Sequence, residues 1–250
     1  MLALEGTAPH AGASLIQARA NFFARTDAYP VSQALVAERE GAVIGVECLA
    51  LTEVRVGGVS CRAGYSFNNT RVQPGLQRRG LGPALLEAAE QWAQAQGAGY
   101  LTGLIKTSNV PSMKMVTALG WETVARFDYL VLELARFDGM AEPRAVQFDL
   151  YRDPHLMRLR LAVVQSNHFA PRCLERDLFS PAPEGAFARL VRVLRARGVR
   201  QLLVPLPAES AACAMLRPFA ADLVDFNFVV KRLGDSPSVP PGPLYFDIRH

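Results

Sequence analysis

Hydrophobic residues in the first third of the chain form short runs separated by glycine-containing breaks, a pattern typical of β-strands joined by turns. Three segments show it: residues 33–38, 42–51 and 60–72. Glu40-Gly41 separates the first two segments, Gly57-Gly58 separates the second from the third, and both pairs suit hairpin turns. Apolar residues at helical spacing precede them at 14–25. The pattern predicts one helix followed by three strands.

After residue 80 the apolar residues recur every three or four positions instead. Residues 81–96 form an amphipathic segment that ends before Gly97, a residue type that commonly terminates helices. A short apolar run at 100–105, a second helical segment at 110–119 and a longer strand-like segment at 122–134 follow. This order of strands and helices predicts an α/β fold.

The second half of the chain shows part of this pattern again. Residues 187–198 align with residues 86–97 at an offset of 101. The elements predicted after that segment are a strand, a helix, a longer strand and a last short strand, at 201–206, 209–220, 222–232 and 244–248. The order predicts an internal repeat, and two ordinary strand–helix units are the alternative. Residues 138–145 have the composition of a linker, which predicts domains at 1–137 and 145–250.

Composition restricts the class of protein. Half of the 250 residues are hydrophobic, enough for a sizeable core, yet no apolar run reaches the ~18 residues that a membrane span needs. The N-terminus lacks the basic start and apolar core of a secretory signal. The four cysteines lie far apart and only four histidines are present, which argues against a zinc site and a disulfide framework. We expect a cytoplasmic protein with no metal and no membrane association.

The net charge of +4 is mildly positive and permits an anionic ligand. Arg189, Arg192 and Arg195 share one face of a predicted helix. A nucleic-acid-binding module is one interpretation of this face, and an ordinary solvated helix surface is the other. The modest net charge favours the solvated surface, so no nucleic acid partner is expected.

The most informative segment is the loop between the strand that ends at Val72 and the helix that begins near Leu81. Helix starts expose unpaired N–H groups with partial positive charge, and glycines at 80 and 82 let an anion approach the backbone. Arg78 and Arg79 add charge, and arginine can pair with phosphate through two hydrogen bonds. The loop therefore suits a diphosphate. The sequence patterns of nucleoside triphosphate and dinucleotide sites are absent.

The segment Val72-Gln-Pro-Gly-Leu-Gln-Arg-Arg-Gly-Leu-Gly-Pro-Ala-Leu-Leu resembles the acyl-CoA-binding signature of the GNAT superfamily of N-acetyltransferases. Downstream, Asn109-Val-Pro-Ser-Met-Lys-Met-Val-Thr-Ala-Leu-Gly-Trp is similar to the second motif of that family, in which an Asn opens a helix. The resemblance covers roughly residues 30–134, and the repeat is similar to tandem members with a degenerate C-terminal copy. It implies a mixed, mostly antiparallel sheet flanked by helices, followed by a reduced GNAT-like half.

The resemblance also implies roles for particular residues. The pyrophosphate of CoA would be held by the backbone amides of six consecutive residues, namely Gln77, Arg78, Arg79, Gly80, Leu81 and Gly82. The Val72 backbone would pair with the pantetheine arm, and its amide would stabilise the oxyanion. Asn109 and Ser112 would touch the arm from the other side, although Asn109 is also a natural helix N-cap and Ser112 an ordinary first-turn residue.

The chain departs from the family pattern where proton transfer is concerned. The tyrosine that in many members protonates the CoA thiolate is replaced by Val116. Tyr65 and Tyr129 are alternative donors, and each is equally interpretable as a strand aromatic. Glu47 and Glu53 lie on predicted strands and could accept the ammonium proton, as could a chain of waters. The sequence therefore names no catalytic residue.

In the second half, the segment equivalent to the phosphate loop is 178–183, which has two prolines and neither glycine nor arginine. We expect this half not to bind CoA but to complete the sheet and enclose the acceptor, in a cleft between the copies. The predicted activity is transfer of acetyl from acetyl-CoA to a primary amine, on a small molecule or a peptide, by direct attack. The alternative is a non-catalytic acyl-CoA-binding protein. The sequence specifies neither the acceptor nor the oligomeric state.

Overall fold

The computed structural model describes residues 29–56, 59–137, 161–163, 186–196, 198–209, 211–239 and 244–246. The strands of this part of the chain are β1 (Ser32–Arg39), β2 (Ala42–Val56), β3 (Val59–Val72), β4 (Tyr100–Lys106), β5 (Glu122–Glu133), β6 (Leu161–Val163), β7 (Gln201–Pro207), β8 (Ala220–Arg232) and β9 (Leu244–Phe246). The α-helices are α1 (Leu81–Ala95), α2 (Val110–Ala118), α3 (Ala186–Ala196) and α4 (Ala211–Leu216), with 3-10 turns at Leu134–Phe137 and Arg217–Phe219.

The elements predicted between residues 33 and 134 are confirmed, with most ends within two residues of the prediction. The main difference is β2, which continues to Val56 and pairs there with Val59, on either side of the predicted turn. In the second half, the predicted helix at 209–220 is shorter, and β6 was not predicted because a strand of three residues leaves no periodic signal. The predicted helix at 14–25, the linker at 138–145 and the segment 178–183 lie outside the described residues.

The fold class is confirmed as mixed α/β with a mostly antiparallel sheet. β1 with β2, β2 with β3, and β5 with β7 are antiparallel pairs. β3 with β4 and β6 with β7 are parallel pairs. In chain order, α1 lies between β3 and β4, and α3 lies between β6 and β7. A pair of parallel strands requires such a crossover connection.

The chain folds as two compact units, and neither is a continuous stretch of sequence. One comprises Met1–Val124 and Asn227–Gly242, and the other comprises Ala125–Phe226 and Pro243–His250. The domain boundaries predicted from the sequence, 1–137 and 145–250, stay a prediction. The first unit takes part of a strand from the C-terminal half, which no local pattern indicates.

In the first unit the strand order is β1-β2-β3-β4, followed by the 227–232 part of β8. α1 and α2 cover one face, where a core cluster of buried residues forms: Leu49, Leu86, Ala89, Ala93, Ala98, Leu101, Val116, Trp121, Val229 and Leu233. Side chains alternate between the faces of a strand, so Val46, Cys48 and Ala50 lie on the opposite face, where they pack with Tyr65 and Phe67.

α1 is specified by its sequence at both ends and along one face. Leu85, Leu86, Ala89 and Ala93 are buried at helical spacing. Gly97 has a left-handed φ of 74°, and it donates its N–H to Gln94 O at 2.9 Å. This conformation ends the helix. The helix therefore starts at a fixed point relative to β3, and its N-terminus lies at the end of the loop that the sequence singled out.

The second unit contains a buried polar cluster. Asp128 of β5 is 2% exposed, and it accepts a hydrogen bond from Arg217 Nη2 and one from Cys213 Sγ at 3.4 Å. Burial, and after it the adjacent Asp128, raise the pKa of the Cys213 thiol to about 11. A thiol in this state is a poor nucleophile. The cluster therefore joins β5 to the segment that contains α4 as a structural contact.

Helix α3, which carries the arginines, is only partly exposed to solvent. Val191 and Leu194 are buried, Arg195 is exposed, and Arg192 is half-buried. The side chain of Arg189 is outside the described residues. The expectation of no nucleic acid partner stays a prediction.

Candidate functional site

The first feature of the candidate site is an opening between two parallel strands. β3 and β4 pair from Ala63↔Tyr100 to Ser66↔Gly103. Beyond Ser66, β3 continues to Val72 without β4 beside it. The backbone of this last part of β3 therefore has one edge paired with β2 and one edge facing the opening, as an extended ligand would require.

Val72 presents its backbone to that opening. It pairs with Gly45 of β2, and the next residue, Gln73, donates its N–H to Ile44 O at 2.8 Å. Because successive strand residues direct their N–H groups to opposite sides, the Val72 N–H points away from β2. Val72 O points the same way and accepts a hydrogen bond from Gln77 Nε2 at 3.2 Å. The Val72 amide therefore faces the open edge, in the position expected from the sequence.

The loop 73–80 is a tight turn with three residues at positive φ. The φ angles are 85° at Gly75, 60° at Arg78 and 82° at Gly80. Glycine adopts this conformation freely, whereas at Arg78 it is unfavourable by about 1 kcal/mol. Such backbone conformations are concentrated at ligand-binding sites, because the surrounding structure must maintain them. The side chains of Gln77, Arg78 and Arg79 are exposed.

The N-terminus of α1 has the electrostatics of an anion site. Gly80 is the N-cap and has no side chain to accept from the first-turn amides, and the first turn contains no acidic residue. Pro83 lacks an N–H at a position where none is needed. The remaining amides carry partial positive charge, and Arg78 and Arg79 directly precede them in the chain. This arrangement suits an anionic ligand with two phosphate groups.

The two glycines of the loop are required for different reasons. A β-carbon at Gly80 would meet no atom within 4 Å, so the positive φ is what favours glycine there. A β-carbon at Gly82 would lie 2.9 Å from Met115 Sδ of α2, so the end of that flexible side chain would have to shift to make room for it. The sequence predicted that both glycines allow a ligand to approach the backbone closely. At Gly82, the Met115 side chain lies in the space that a β-carbon would face.

Asn109 is the N-cap of α2. Its Oδ1 accepts a hydrogen bond from Ser112 N at 3.3 Å, and Pro111 follows in the first turn. The helix-cap interpretation of Asn109 is confirmed, and Ser112 is the capped first-turn residue. Contact of either residue with the coenzyme arm stays a prediction.

No proton donor stands at the position where family members carry tyrosine. Val116 is 3% exposed and belongs to the core cluster that also contains Trp121. Of the two alternative tyrosines, Tyr65 is buried on the opposite face of the sheet, with its ring 6.0 Å from that of Phe67. Tyr129 belongs to the second unit, where its ring lies 4.7 Å from that of Phe226.

The two candidate proton acceptors are in opposite environments. Glu53 is exposed and pairs in register with Arg62. Glu47 is fully buried, and one of its carboxylate oxygens accepts a hydrogen bond from Ser66 Oγ. Sequence reasoning missed Ser66, because its contact with Glu47 depends on the register of β2 against β3. A serine between two aromatic residues, Tyr65 and Phe67, was the available signal.

No helix among the described residues has the length and hydropathy to cross a membrane. No group of three or more His, Cys, Asp or Glu residues in that part of the chain could hold a metal ion.

Comparisons with known proteins show what this chain is similar to. Residues 8–121 match the Acetyltransferase (GNAT) family. The chain is 27% identical over 203 residues to the acetyl transferase GW6a of Oryza sativa subsp. japonica, a match that covers 80% of this chain and 41% of the rice protein. The chain thus spans about two fifths of the length of that curated relative.

Two solved structures are among those to which the chain is similar. A tandem GNAT protein from the clavulanic acid biosynthesis pathway is 14% identical, with a TM-score of 0.49 over 84% of this chain and 86% of that one. The ribosomal-protein-S18-alanine N-acetyltransferase from Escherichia coli is 22% identical, with a TM-score of 0.32 over 39% of this chain and 57% of that one. Residues 8–121, just under half of this chain, are thus similar to acetyltransferases of the GNAT family.

Proposed function

We propose that the chain is an acyl-CoA-dependent N-acyltransferase, and that it transfers acetyl from acetyl-CoA to a primary amine. The observation that carries the proposal is the connection from β3 to α1, in which the Val72 amide faces an open strand edge and the loop leads to an uncapped helix N-terminus. The match of residues 8–121 to an acetyltransferase family supports the same reaction.

The coenzyme would be held mainly by the backbone. The amides of residues 77–82 would bind the pyrophosphate, with charge added by Arg78 and Arg79. The pantetheine arm would extend along the open edge of β3 as an added strand. Asn109 and Ser112, at the start of α2, would contact the arm from the other side.

The proposed reaction is direct attack in a ternary complex. The amine nitrogen forms a bond to the thioester carbonyl carbon, and the carbonyl oxygen takes the charge of the tetrahedral adduct. The Val72 N–H would stabilise that oxyanion. The adduct loses one proton from nitrogen to water, the carbon–sulfur bond breaks, and its electron pair leaves on sulfur as the CoA thiolate. Because Val116 has no proton to donate, the thiolate would take its proton from water.

The test is to measure binding and turnover separately. Calorimetry with acetyl-CoA reports binding, and release of free CoA in the presence of polyamines, amino acids, aminoglycosides and short peptides reports transfer. Desulfo-CoA should bind and release nothing, which controls for the thiol assay. Acetyl-CoA binding together with amine-dependent CoA release supports the proposal, and absence of binding contradicts it.

A non-catalytic acyl-CoA-binding protein is the second candidate function. The burial of Val116 in the core favours it, because this position offers no group that could assist departure of the thiolate. Tight binding of acetyl-CoA with no CoA release by any amine would support this candidate over the enzyme.

A further inference from the structure

A buried arginine stands one residue before Val72 in β3. Arg71 is 5% exposed, whereas the side chains of Arg62, Arg78 and Arg79 are exposed. A charged side chain is almost never this buried unless it is paired, because loss of hydration is unfavourable. Arg71 does interact with other groups of the protein. Its five N–H donors form a planar fork that serves more than one acceptor, so a protein group and a ligand can share it.

The side chain of Arg71 lies on the face of the sheet opposite α1 and α2. Arg71 pairs directly with Val46, and directly opposed residues of antiparallel strands share a face. The β-bulge opposite Glu47 comes after this pair in the register, so the bulge does not separate the two side chains. Val46 packs with Tyr65 and Phe67 on the face that the two helices do not occupy.

The helices close the other face at the opening between β3 and β4. Gly45, which pairs with Val72, has its ideal β-carbon position 3.1 Å from Leu85 of α1. Ile105, on the β4 side of the opening, packs against the core cluster that α1 and α2 share. In the described part of the chain, a thioester at the Val72 amide is therefore approached from the face that carries Arg71.

Solvent reaches that face of the sheet near Arg71. Val36, Val46 and Arg71 form a row across three neighbouring strands, because Val36 pairs with Val46 and Val46 pairs with Arg71. Val36 is 50% exposed, so the row passes from a buried guanidinium to the surface within two strands. A small polar molecule can therefore enter from the β1 side.

We propose that Arg71 binds a carboxylate of the acceptor, and hence that the acceptor is an amino acid. This inference rests on the proposed function. The Cα atoms of Arg71 and Val72 are about 3.8 Å apart, and in an α-amino acid a single carbon separates the nitrogen from the carboxylate. While the Val72 N–H holds the carbonyl oxygen of the thioester, Arg71 would hold the carboxylate and direct the amine toward the carbonyl carbon.

The same arrangement disfavours other classes of amine. Polyamines and aminoglycosides carry further positive charges, which a buried guanidinium repels strongly because little water screens it. Esters and amides of an amino acid offer it no negative charge. A carboxylate, in contrast, can accept two parallel hydrogen bonds from the planar fork of an arginine. Arg78 and Arg79 remain available for the diphosphate, since they lie in the loop that leads to α1.

The test measures CoA release with the protein amino acids as acceptors, and then compares the best acceptor with its methyl ester and its primary amide. We expect Arg71→Met to lower kcat/KM for the acid by about 10- to 100-fold, the loss that follows removal of charge-assisted hydrogen bonds. The values for the ester and the amide should change by less than about threefold. The acid-to-ester ratio is compared between variants, so the different basicity of the two amines cancels.

Two more variants separate recognition from packing. Arg71→Lys keeps a positive charge without the planar fork, so it should retain part of the preference for the acid. Arg62→Met removes an exposed arginine of the same strand, and it should match the unchanged protein with every acceptor. Calorimetry should give the same acetyl-CoA affinity for Arg71→Met as for the unchanged protein. If Arg71→Met does not fold, Arg71→Lys and the acid-to-ester ratio of the unchanged protein decide the matter.

The outcomes distinguish this inference from the function on which it rests. A folded Arg71→Met protein whose kcat/KM falls equally for acid and ester, or does not fall, overturns the role of Arg71 and leaves the transferase intact. Faster CoA release with polyamines or aminoglycosides than with any amino acid, measured on the unchanged protein, does the same. If no amine of any class releases CoA, the proposed function is overturned, and this inference with it.

Discussion

The Met115 sulfur occupies the space that a side chain at residue 82 would need, 2.9 Å from the ideal β-carbon position of Gly82. The start of α1 and the middle of α2 are therefore in direct contact. This contact lies at the N-terminus of α1, next to the loop that we propose to bind the diphosphate. Packing in the first unit is thus directly coupled to the geometry of the candidate site.

We expect Gly82→Ala to change the free energy of unfolding by less than about 1 kcal/mol, because the end of the Met115 side chain can shift away and alanine favours a helix over glycine. Gly80→Ala should destabilise the protein by about 1 kcal/mol, because its φ of 82° is unfavourable for a residue with a side chain. Urea denaturation of the two variants makes the comparison. A larger loss in Gly82→Ala than in Gly80→Ala would mean that the Met115 contact cannot relax.

Arg78→Gln and Arg79→Gln should each weaken acetyl-CoA binding by about tenfold at low salt, because charge-assisted hydrogen bonds to phosphate contribute about 1.5–3 kcal/mol. Calorimetry with acetyl-CoA and with S-acetylpantetheine, which lacks the diphosphate, makes the comparison. Affinity for S-acetylpantetheine should be unchanged. Arg39→Gln, at an exposed ion pair with Glu40, controls for loss of positive charge. Equal weakening of both ligands would contradict a diphosphate role for these arginines.

Glu47 should make the protein less stable as pH rises. Its pKa is about 7 in the folded state and near the ordinary value of 4.5 in the unfolded chain. Below pH 4.5 the carboxyl is neutral in both states and no penalty exists. As pH rises through the interval up to about 7, the unfolded chain ionises first, so stability falls by up to about 3 kcal/mol.

Urea denaturation at pH 5 and pH 8 measures this effect in the difference between the unchanged protein and Glu47→Gln. The glutamine variant should lack the Glu47 part of the pH dependence, whereas Glu38→Gln should keep it. A pH dependence that is identical in the unchanged protein and Glu47→Gln would mean that the carboxyl titrates normally in the folded state.

In the second unit, Arg217→Met should be more destabilising than Asp128→Asn. Arg217→Met leaves the Asp128 carboxylate buried without its charged partner. Asp128→Asn, in contrast, leaves a half-exposed Arg217 that water can solvate. Thermal denaturation of the two single variants and of the double variant Arg217→Met/Asp128→Asn gives their order of stability. The double variant should be more stable than Arg217→Met alone, and the reverse order would show that the pair contributes little.

The sequence predicted those parts of the fold that depend on local periodicity. β3, α1, β4 and α2 follow from apolar spacing and from glycines at the helix ends, so their boundaries were close to those observed. The loop between β3 and α1 was also predictable, because its glycines and arginines are consecutive in the chain. Its electrostatic character follows from residue type alone.

Features that depend on register or on distant segments were not predictable. Glu47 was one of two equivalent glutamates in the sequence, and only the bulge opposite it distinguishes a buried carboxylate from the exposed Glu53. Ser66 gains its interest from contact with a residue 19 positions away. The contact between Gly82 and Met115 likewise joins two helices whose packing no local pattern describes.

The strand segment 227–232 belongs to the same compact unit as the first four strands, although about a hundred residues separate it from them. During synthesis, the N-terminal part of the chain must therefore wait for nearly the whole polypeptide before its sheet can be completed. Truncation after residue 137 would remove a strand from that unit along with the second half. The folding and the proposed function of the first unit should thus be studied in the intact chain.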